Sequence, residues 1–328
     1  MLKKKKRSKN KVKMPPEYYQ APETGRADGE VKRKPTLVLI TVGTVVVLVL
    51  LGLTWNFAGR KEVQTLPRPE ESKTETRNEP EETVSIAEPG FDFTEPRYGI
   101  EMAYVRGGTF LMGCTPEYED DCYDYEEPAQ LATVGDFYIG KYEVTQAQWK
   151  AVMGNNPSDF KGDDLPVENV SWNDAREFIQ KLNAATGKEF RLPTEIEWEY
   201  AARGGRHSRG YKYSGSNNVE DVAWYESNAE NKTHPVGTKK ANELGIYDMS
   251  GNVWEWMSNL YENNNDGNPR TNTAGKGEGS FRMIRGGGWG SYARGVRVSN
   301  YYNNGSGYYY NILGFRLACD LEASPDIS

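Results

Sequence analysis

Histidine is almost missing from this chain of 328 residues: His207 and His234 are the only two, and cysteine is nearly as scarce at three. A Ser-His-Asp nucleophile needs a histidine beside an exposed serine, and neither histidine lies in such a setting, so that kind of hydrolysis is excluded. A phosphate-cradling loop is missing too, because the glycine-rich RGGGWG at 285–290 does not follow the strand-to-helix pattern of a nucleotide fingerprint. The body of the chain has no basic face. Phosphate binding needs clustered Lys and Arg to displace counterions, so nucleic acid is set aside as the main partner. Two of the cysteines, Cys114 and Cys122, lie in one acidic loop and permit a small disulfide in an oxidising compartment, which leaves Cys319 over; three unpaired thiols are the alternative.

What is present is sharply divided. Residues 1–34 carry twelve Lys/Arg against four acids, while the remainder is acidic, so the net charge of −7 is an average of two unlike parts. Residues 36–57, TLVLITVGTVVVLVLLGLTWNF, hold no charge, and 22 residues in a helix are long enough to cross a bilayer core of about 30 Å. The basic segment 1–35 in front of them predicts a cytoplasmic N-terminus and a C-terminal part on the far side of the cytoplasmic membrane, periplasmic or extracellular. A cleaved signal peptide is the rival reading, but the apolar run exceeds a usual signal core and no small-x-small cleavage pattern follows it closely. Residues 58–94 combine Pro, Glu, Thr and Lys with few large apolar side chains and read as a disordered tether.

A folded domain is expected over 95–320, with a short tail at 321–328. MAYVRGGTFLMG reads as a strand leading into a turn, and the alternation of DFYIGKYEVT at 136–145 as another strand. Three helices have start signals. Thr145 caps TQAQWKAVMG, which Gly154 stops; Ser171 caps a longer helix with Ala175, Phe178, Ile179 and Leu182 on one face and Gly187 after it; Thr194 with Glu197 forms a capping box. Beyond Gly204 the chain is rich in Gly, Asn and Ser and predicts loops and short strands.

Seven strings, MAYVRGGTFLMG, FYIGKYEVTQAQW, LPVENVSWNDAREF, RLPTEIEWEYAARGG, ELGIYDMSGNVWEW, IRGGGW and LGFRLA, occur in the order of the motifs of the formylglycine-generating (sulfatase-modifying) family, which this chain resembles throughout the domain. The resemblance implies an α+β, C-type-lectin-like fold of low regular secondary structure. Active members oxidise a substrate cysteine with copper held by two cysteine thiolates five apart, between the RGGSW-like and GFR motifs. Here no cysteine occurs from Gly286 to Ala318, and the positions aligned with the pair are Ala293 and Val298. Copper is therefore not expected, because soft thiolates are what Cu(I) requires. A related iron branch needs three histidines, one more than the chain has.

The resemblance also implies calcium, through a loop in SGNVWEW whose ligands would be Gly251, Asn252, Val253 and Glu255, with Asn228 the one hint of a second loop. Against this, Trp254 and Trp256 read equally well as core residues and Glu255 as a buried hydrogen-bonding group. Arg285, Arg294, Arg297 and Arg316 match scaffold arginines of the family and are expected to hold loops through charge-assisted bonds.

Of the 22 residues 290–311, GSYARGVRVSNYYNNGSGYYYN, 17 are Gly, Ser, Tyr or Asn, and six are tyrosine. This is the mixture of binding loops, in which Tyr supplies area at little entropic cost and Ser, Gly and Asn supply adaptable hydrogen bonds. The region also resembles the variable segment of proteins diversified by retroelements. The residues expected to contact a ligand are Trp289, Ser291, Tyr292, Tyr301, Tyr302, Asn303, Tyr308, Tyr309 and Asn311; simple packing of these tyrosines on the loop core is the alternative. The expected function is a binding module for a protein or carbohydrate outside the cytoplasmic membrane. A formylglycine-generating oxidase acting on sulfatase cysteines, and a structural part of an envelope secretion or motility complex, are the alternatives.

Overall fold

A hydroxyl placed one residue ahead of each helix sets where the three main helices begin. In the computed structural model, α1 (Gln146–Met153), α2 (Trp172–Thr186) and α3 (Glu195–Ala202) start after Thr145, Ser171 and Thr194, whose side chains accept from the backbone N–H of Gln148, Asp174 and Glu197. In each case that third residue returns the bond to the cap's own N–H, which satisfies two otherwise orphaned donors. Gly154 and Gly187 close α1 and α2 in the left-handed conformation. The apolar face read from the sequence of α2, Ala175, Phe178, Ile179 and Leu182, is buried together with Trp172. Helix α3 differs, being buried on every side, so that Glu195, Glu197 and Glu199 enter the interior and need partners there. A fourth helix, α4 (Val219–Val222), is a single turn.

The structure describes residues 90–118, 121–261, 270–271 and 281–321. The basic segment, the apolar span 36–57, residues 58–89 of the tether and residues 322–328 of the tail lie outside the described residues, and so do the topological expectations placed on them. Among the described residues no helix is long and apolar enough to cross a membrane.

The strand expected over MAYVRGGTFLMG is two strands in different sheets, β2 (Ile100–Val105) and β3 (Gly108–Met112). The break falls at Gly107, where an added Cβ would lie 2.4 Å from the Val134 carbonyl oxygen, so the chain can change sheets only without a side chain there. The alternation at 136–145 forms a strand only over β5 (Phe137–Gly140), all four residues buried, before Thr145 starts α1. The remaining strands are short: β1 (Phe93–Glu95), β4 (Gln130–Val134), β6 (Phe190–Arg191), β7 (Trp254–Leu260), β8 (Arg270–Thr271), β9 (Phe281–Arg285), β10 (Tyr301–Gly305), β11 (Leu313–Gly314) and β12 (Ala318–Asp320). They form a five-stranded sheet in the order β1-β2-β5-β12-β6, a four-stranded sheet β10-β9-β7-β11 and a three-stranded sheet β3-β4-β8. Because β1 pairs with β2, the fold begins a little before residue 95.

One core group packs α1 and α2 through Trp149, Phe178 and Phe315, with the Trp149 and Phe178 rings stacked 5.3 Å apart. A second gathers Trp198 of α3 with Val105, Phe137, Met257 and Val298. Among the described residues the irregular second half expected beyond Gly204 is present, with one short α-helix, two single 3-10 turns and short strands between loops. Its order comes from buried polar side chains.

Candidate ligand-binding face

Strand β9 ends at Arg285 and runs into a turn at Gly286 and Gly287, both at positive φ. At Gly287 an added Cβ would meet the Gly295 carbonyl oxygen at 2.7 Å, so this turn lets the two ends of the following loop close on each other. Trp289 and Ser291 then fasten the loop from inside. Trp289 Nε1 donates to the Asn311 carbonyl at 2.8 Å, its ring meets Phe160 edge-on, and Ser291 Oγ accepts from Gly288 N at 3.1 Å. Both residues, expected from the sequence to contact a ligand, are buried and shape the loop from within.

Below the loop stand three arginines that are at most 1% exposed. Arg285 Nη2 reaches Glu195 at 2.6 Å and Glu199 at 2.9 Å, and its Nη1 donates to the Ser299 carbonyl at 2.9 Å. Arg297 Nη2 donates to Glu126 Oε2 at 2.6 Å. Arg316 takes both oxygens of Glu255 at 2.7 Å. Arg285 and Arg297 are the partners that Glu195 and Glu199 of α3 and Glu126 of the first acidic loop require, and they hold the loop by charge-assisted bonds as expected, while Arg316 ties Glu255 of β7. Arg294 differs: it is partly exposed, donates to the Cys122 carbonyl, pairs with Asp121 at 3.4 Å and lies over the Tyr123 ring.

The acidic loop is the neighbour that sequence reasoning did not connect to 290–311. Cys114 and Cys122 are joined in a disulfide, and Cys319 is buried in the core outside it. Glu127 lies near the two sulfurs, but sulfurs bonded to each other are not thiolate ligands. Within this closed loop Tyr125 OH donates to Asn300 Oδ1 at 2.8 Å and accommodates Tyr301, whose own OH donates to the Tyr125 carbonyl at 2.7 Å. Burial and the nearby Glu126 charge push the Tyr125 phenol above its ordinary range, so it stays a neutral donor. The Tyr-x-Tyr spacing at 123–125 between acids was the available signal.

The loop residues divide by exposure. Tyr292, Tyr308 and Tyr309 are exposed at 47%, 52% and 43%, the three outward-facing tyrosines of the stretch. Tyr301, Tyr302, Asn303 and Asn311 are half-buried, and Tyr310 is buried, so simple packing accounts for part of the tyrosine content. Ala293 and Val298 belong to different packing groups, Ala293 against Tyr213, Tyr225 and Val296 and Val298 in the group of Trp198. No cysteine occurs from 286 to 318, so this stretch offers no pair of thiolates.

The calcium ligands nominated from the sequence do not fit a hard-cation site. Both Glu255 oxygens are taken by Arg316, and Oε2 accepts from Trp198 Nε1 as well. Asn252 Oδ1 accepts from His234 N, its Nδ2 donates to Glu143, and Val253 N donates to Glu143. Gly251 is pressed against the Trp224 carbonyl, 2.2 Å from where a Cβ would be. Trp254 and Trp256 are core residues. Asn228 is used internally too, accepting from Tyr225 N and donating to Glu220 and the Ala223 carbonyl.

Residues 92–321 match the sulfatase-modifying factor enzyme 1-like domain. The chain belongs to this family. It is 42% identical over 256 residues to the chaperone protein LppX of Paenibacillus barcinonensis, an alignment covering 61% of this chain and 82% of that relative. It is 34% identical over 197 residues to the formylglycine-generating enzyme of Streptomyces coelicolor, covering 55% of this chain and spanning only 60% of the enzyme's length. Among solved structures it is similar to Treponema denticola variable protein 1, with a TM-score of 0.63 and 32% identity, covering 70% of this chain and 98% of that one. The sulfatase-modifying-factor-like domain thus carries its tyrosine-rich loop on a frame of buried ion pairs.

Proposed function

We propose that this chain is a binding protein tethered to the cytoplasmic membrane through residues 36–57, which presents Tyr292, Tyr308 and Tyr309 to a protein ligand on the far side and performs no copper-dependent oxidation. The observation that carries this reading is the pairing of two facts in one loop. Residues 286–318 contain no cysteine, and the same stretch holds three exposed tyrosines on a frame fixed by Arg285, Arg297 and Arg316. Tyrosines held on a rigid frame contribute contact area at a low entropic cost, the property that makes them anchors in interfaces. Of the two ligand classes the loop composition allows, the likeness to a chaperone favours protein over carbohydrate.

Photo-crosslinking amino acids placed at 292, 308 and 309 in the full chain, expressed in its own cell envelope, test this. The reading expects one protein recovered from all three positions, absent from a control position at Lys181 on α2 and lost when the other two tyrosines are changed to alanine. Recovery of unrelated proteins from the three positions, or equal recovery from Lys181, would overturn it. The likeness to a variable protein supports a finer reading, diversification of 290–311 by a retroelement. Sequencing the locus in sibling strains should then show substitutions concentrated at adenine-containing codons of this stretch, and an even spread along the gene would refute it.

A further inference from the structure

A narrow cleft lies where the acidic loop meets β9 and β10, lined by Met112, Tyr125, Glu126, Gln130, Arg285 and Tyr301. Its charged groups are mostly engaged. Arg285 is matched by two carboxylates, Glu195 and Glu199, and Glu126 Oε2 accepts from both Arg297 Nη2 and Tyr123 N. The other oxygen of Glu126 has no partner. Glu126 Oε1 is buried without a hydrogen bond, in a residue only 2% exposed. A buried carboxylate oxygen left without a donor costs about 1–3 kcal/mol or more, so the geometry calls for a donor at this spot.

Three features define that donor. The acceptor is anionic, which favours a cation. The walls include the Tyr125 and Tyr301 rings, and the Tyr301 ring already has the Arg285 guanidinium 5.2 Å from its centroid, so this wall accepts cations. The surroundings are acidic, because residues 115–127 hold seven Asp/Glu and no Lys/Arg, with Asp124 and Glu127 exposed; such a rim draws positive charge inward. Arg285 does not cancel this field, since its charge is met by two acids at 2.6 and 2.9 Å. The cleft has room for at least one water-sized group, which a compact ammonium matches.

We propose that this cleft receives a primary ammonium group, the tip of a lysine on the protein ligand, with Glu126 Oε1 as its acceptor and the Tyr125 and Tyr301 rings beside it. The inference rests on the protein-binding reading above and states one chemical feature that the ligand must carry. Exposed tyrosines then supply area, and the cleft supplies a charge requirement.

Methyl NMR of the full chain, labelled at its eight methionines, tests this, because Met112 lines the cleft and Met153 packs in the other core group. The probe is N-acetyl-lysine methylamide, and the control is the same compound acetylated on its side-chain nitrogen. A saturable shift of the Met112 signal with the amine, none with the control and none at Met153, is expected. No Met112 shift, or equal shifts with both compounds, means that a water alone serves Glu126 and overturns the proposal. Glu126→Gln should weaken the amine roughly tenfold. Because Glu126 also holds Arg297, Tyr301→Leu is the second variant; it removes the ring and also the hydroxyl bond to the Tyr125 carbonyl, and with the Met153 signal unmoved as the check on folding it should weaken the amine about threefold. Changing Tyr292, Tyr308 and Tyr309 to alanine should leave the Met112 response intact. A cleft that responds while crosslinking finds no common protein sinks only the binding reading; a recovered protein with a silent cleft sinks only the ammonium site.

Discussion

Arg316 lies against Glu255 in the core, its Nε and Nη2 donating to the two carboxylate oxygens at 2.7 Å each, with neither side chain exposed. The same guanidinium also donates to the carbonyls of Gly140 and Tyr247, so it joins β5, β7 and the loop before β7. Removing one member of such a pair leaves the other charge buried and unpaired. Arg316→Met should lower unfolding stability by about 3–5 kcal/mol in denaturant titrations. Arg316→Lys should also destabilise, because an ammonium cannot fork onto both oxygens. A loss below about 1 kcal/mol for Arg316→Met would show that the pair is not a structural tie.

The acids around Arg316 outnumber it. Asp248 is pushed up to about 6, chiefly by burial, with its bond from Gly237 N and the Arg316 charge acting the other way. Glu143 is also raised, by burial and then by Asp248 and Glu255. For Asp248 the folded-state value lies above the unfolded one, so the folded chain keeps a proton that the unfolded chain releases. Its contribution therefore falls as pH rises from about 4 to about 6 and is constant above. Asp248→Asn keeps an acceptor for Gly237 N and should flatten this part of the stability profile, with a gain at pH 7 of up to about 3 kcal/mol relative to the parent. Parallel profiles for the two proteins between pH 4 and pH 6 would contradict the assignment.

The disulfide between Cys114 and Cys122 closes the loop that carries Tyr123, Tyr125 and Glu126. That loop supports the binding loop through Arg294, Arg297, Asn300 and Tyr301. Replacing both cysteines with serine should lower stability by about 2–3 kcal/mol, the chain-entropy value for so short a loop. Amide exchange should also speed up across 293–301, beyond the increase at α2. Exchange confined to 114–127 would show that the two loops are energetically separate.

Much of the fold was legible because it depends on short-range chemistry. Each of the three main helices starts after a hydroxyl followed three residues later by a reciprocating side chain, and the buried face of α2 is a helical repeat of Ala175, Phe178, Ile179 and Leu182. The break at Gly107 was not legible, because the carbonyl that excludes a side chain there belongs to Val134, a residue distant in sequence. The site divides in the same way. Composition pointed to 290–311, but period and composition do not separate Trp289 and Ser291, which face inward, from Tyr308 and Tyr309, which face out. Glu255 has the spacing of a calcium ligand, and what the spacing could not show is that Arg316, 61 residues away, takes both of its oxygens.

Binding without oxidation is the central claim for this member of the family. The purified full chain, given Cu(I), oxygen and a peptide containing the Cys-x-Pro-x-Arg pattern, should leave the peptide cysteine unchanged. X-ray absorption at copper should show no metal held by two protein sulfurs. Aldehyde on the peptide, together with a two-sulfur copper signal that disappears when Cys114 and Cys122 are changed to serine, would contradict the account.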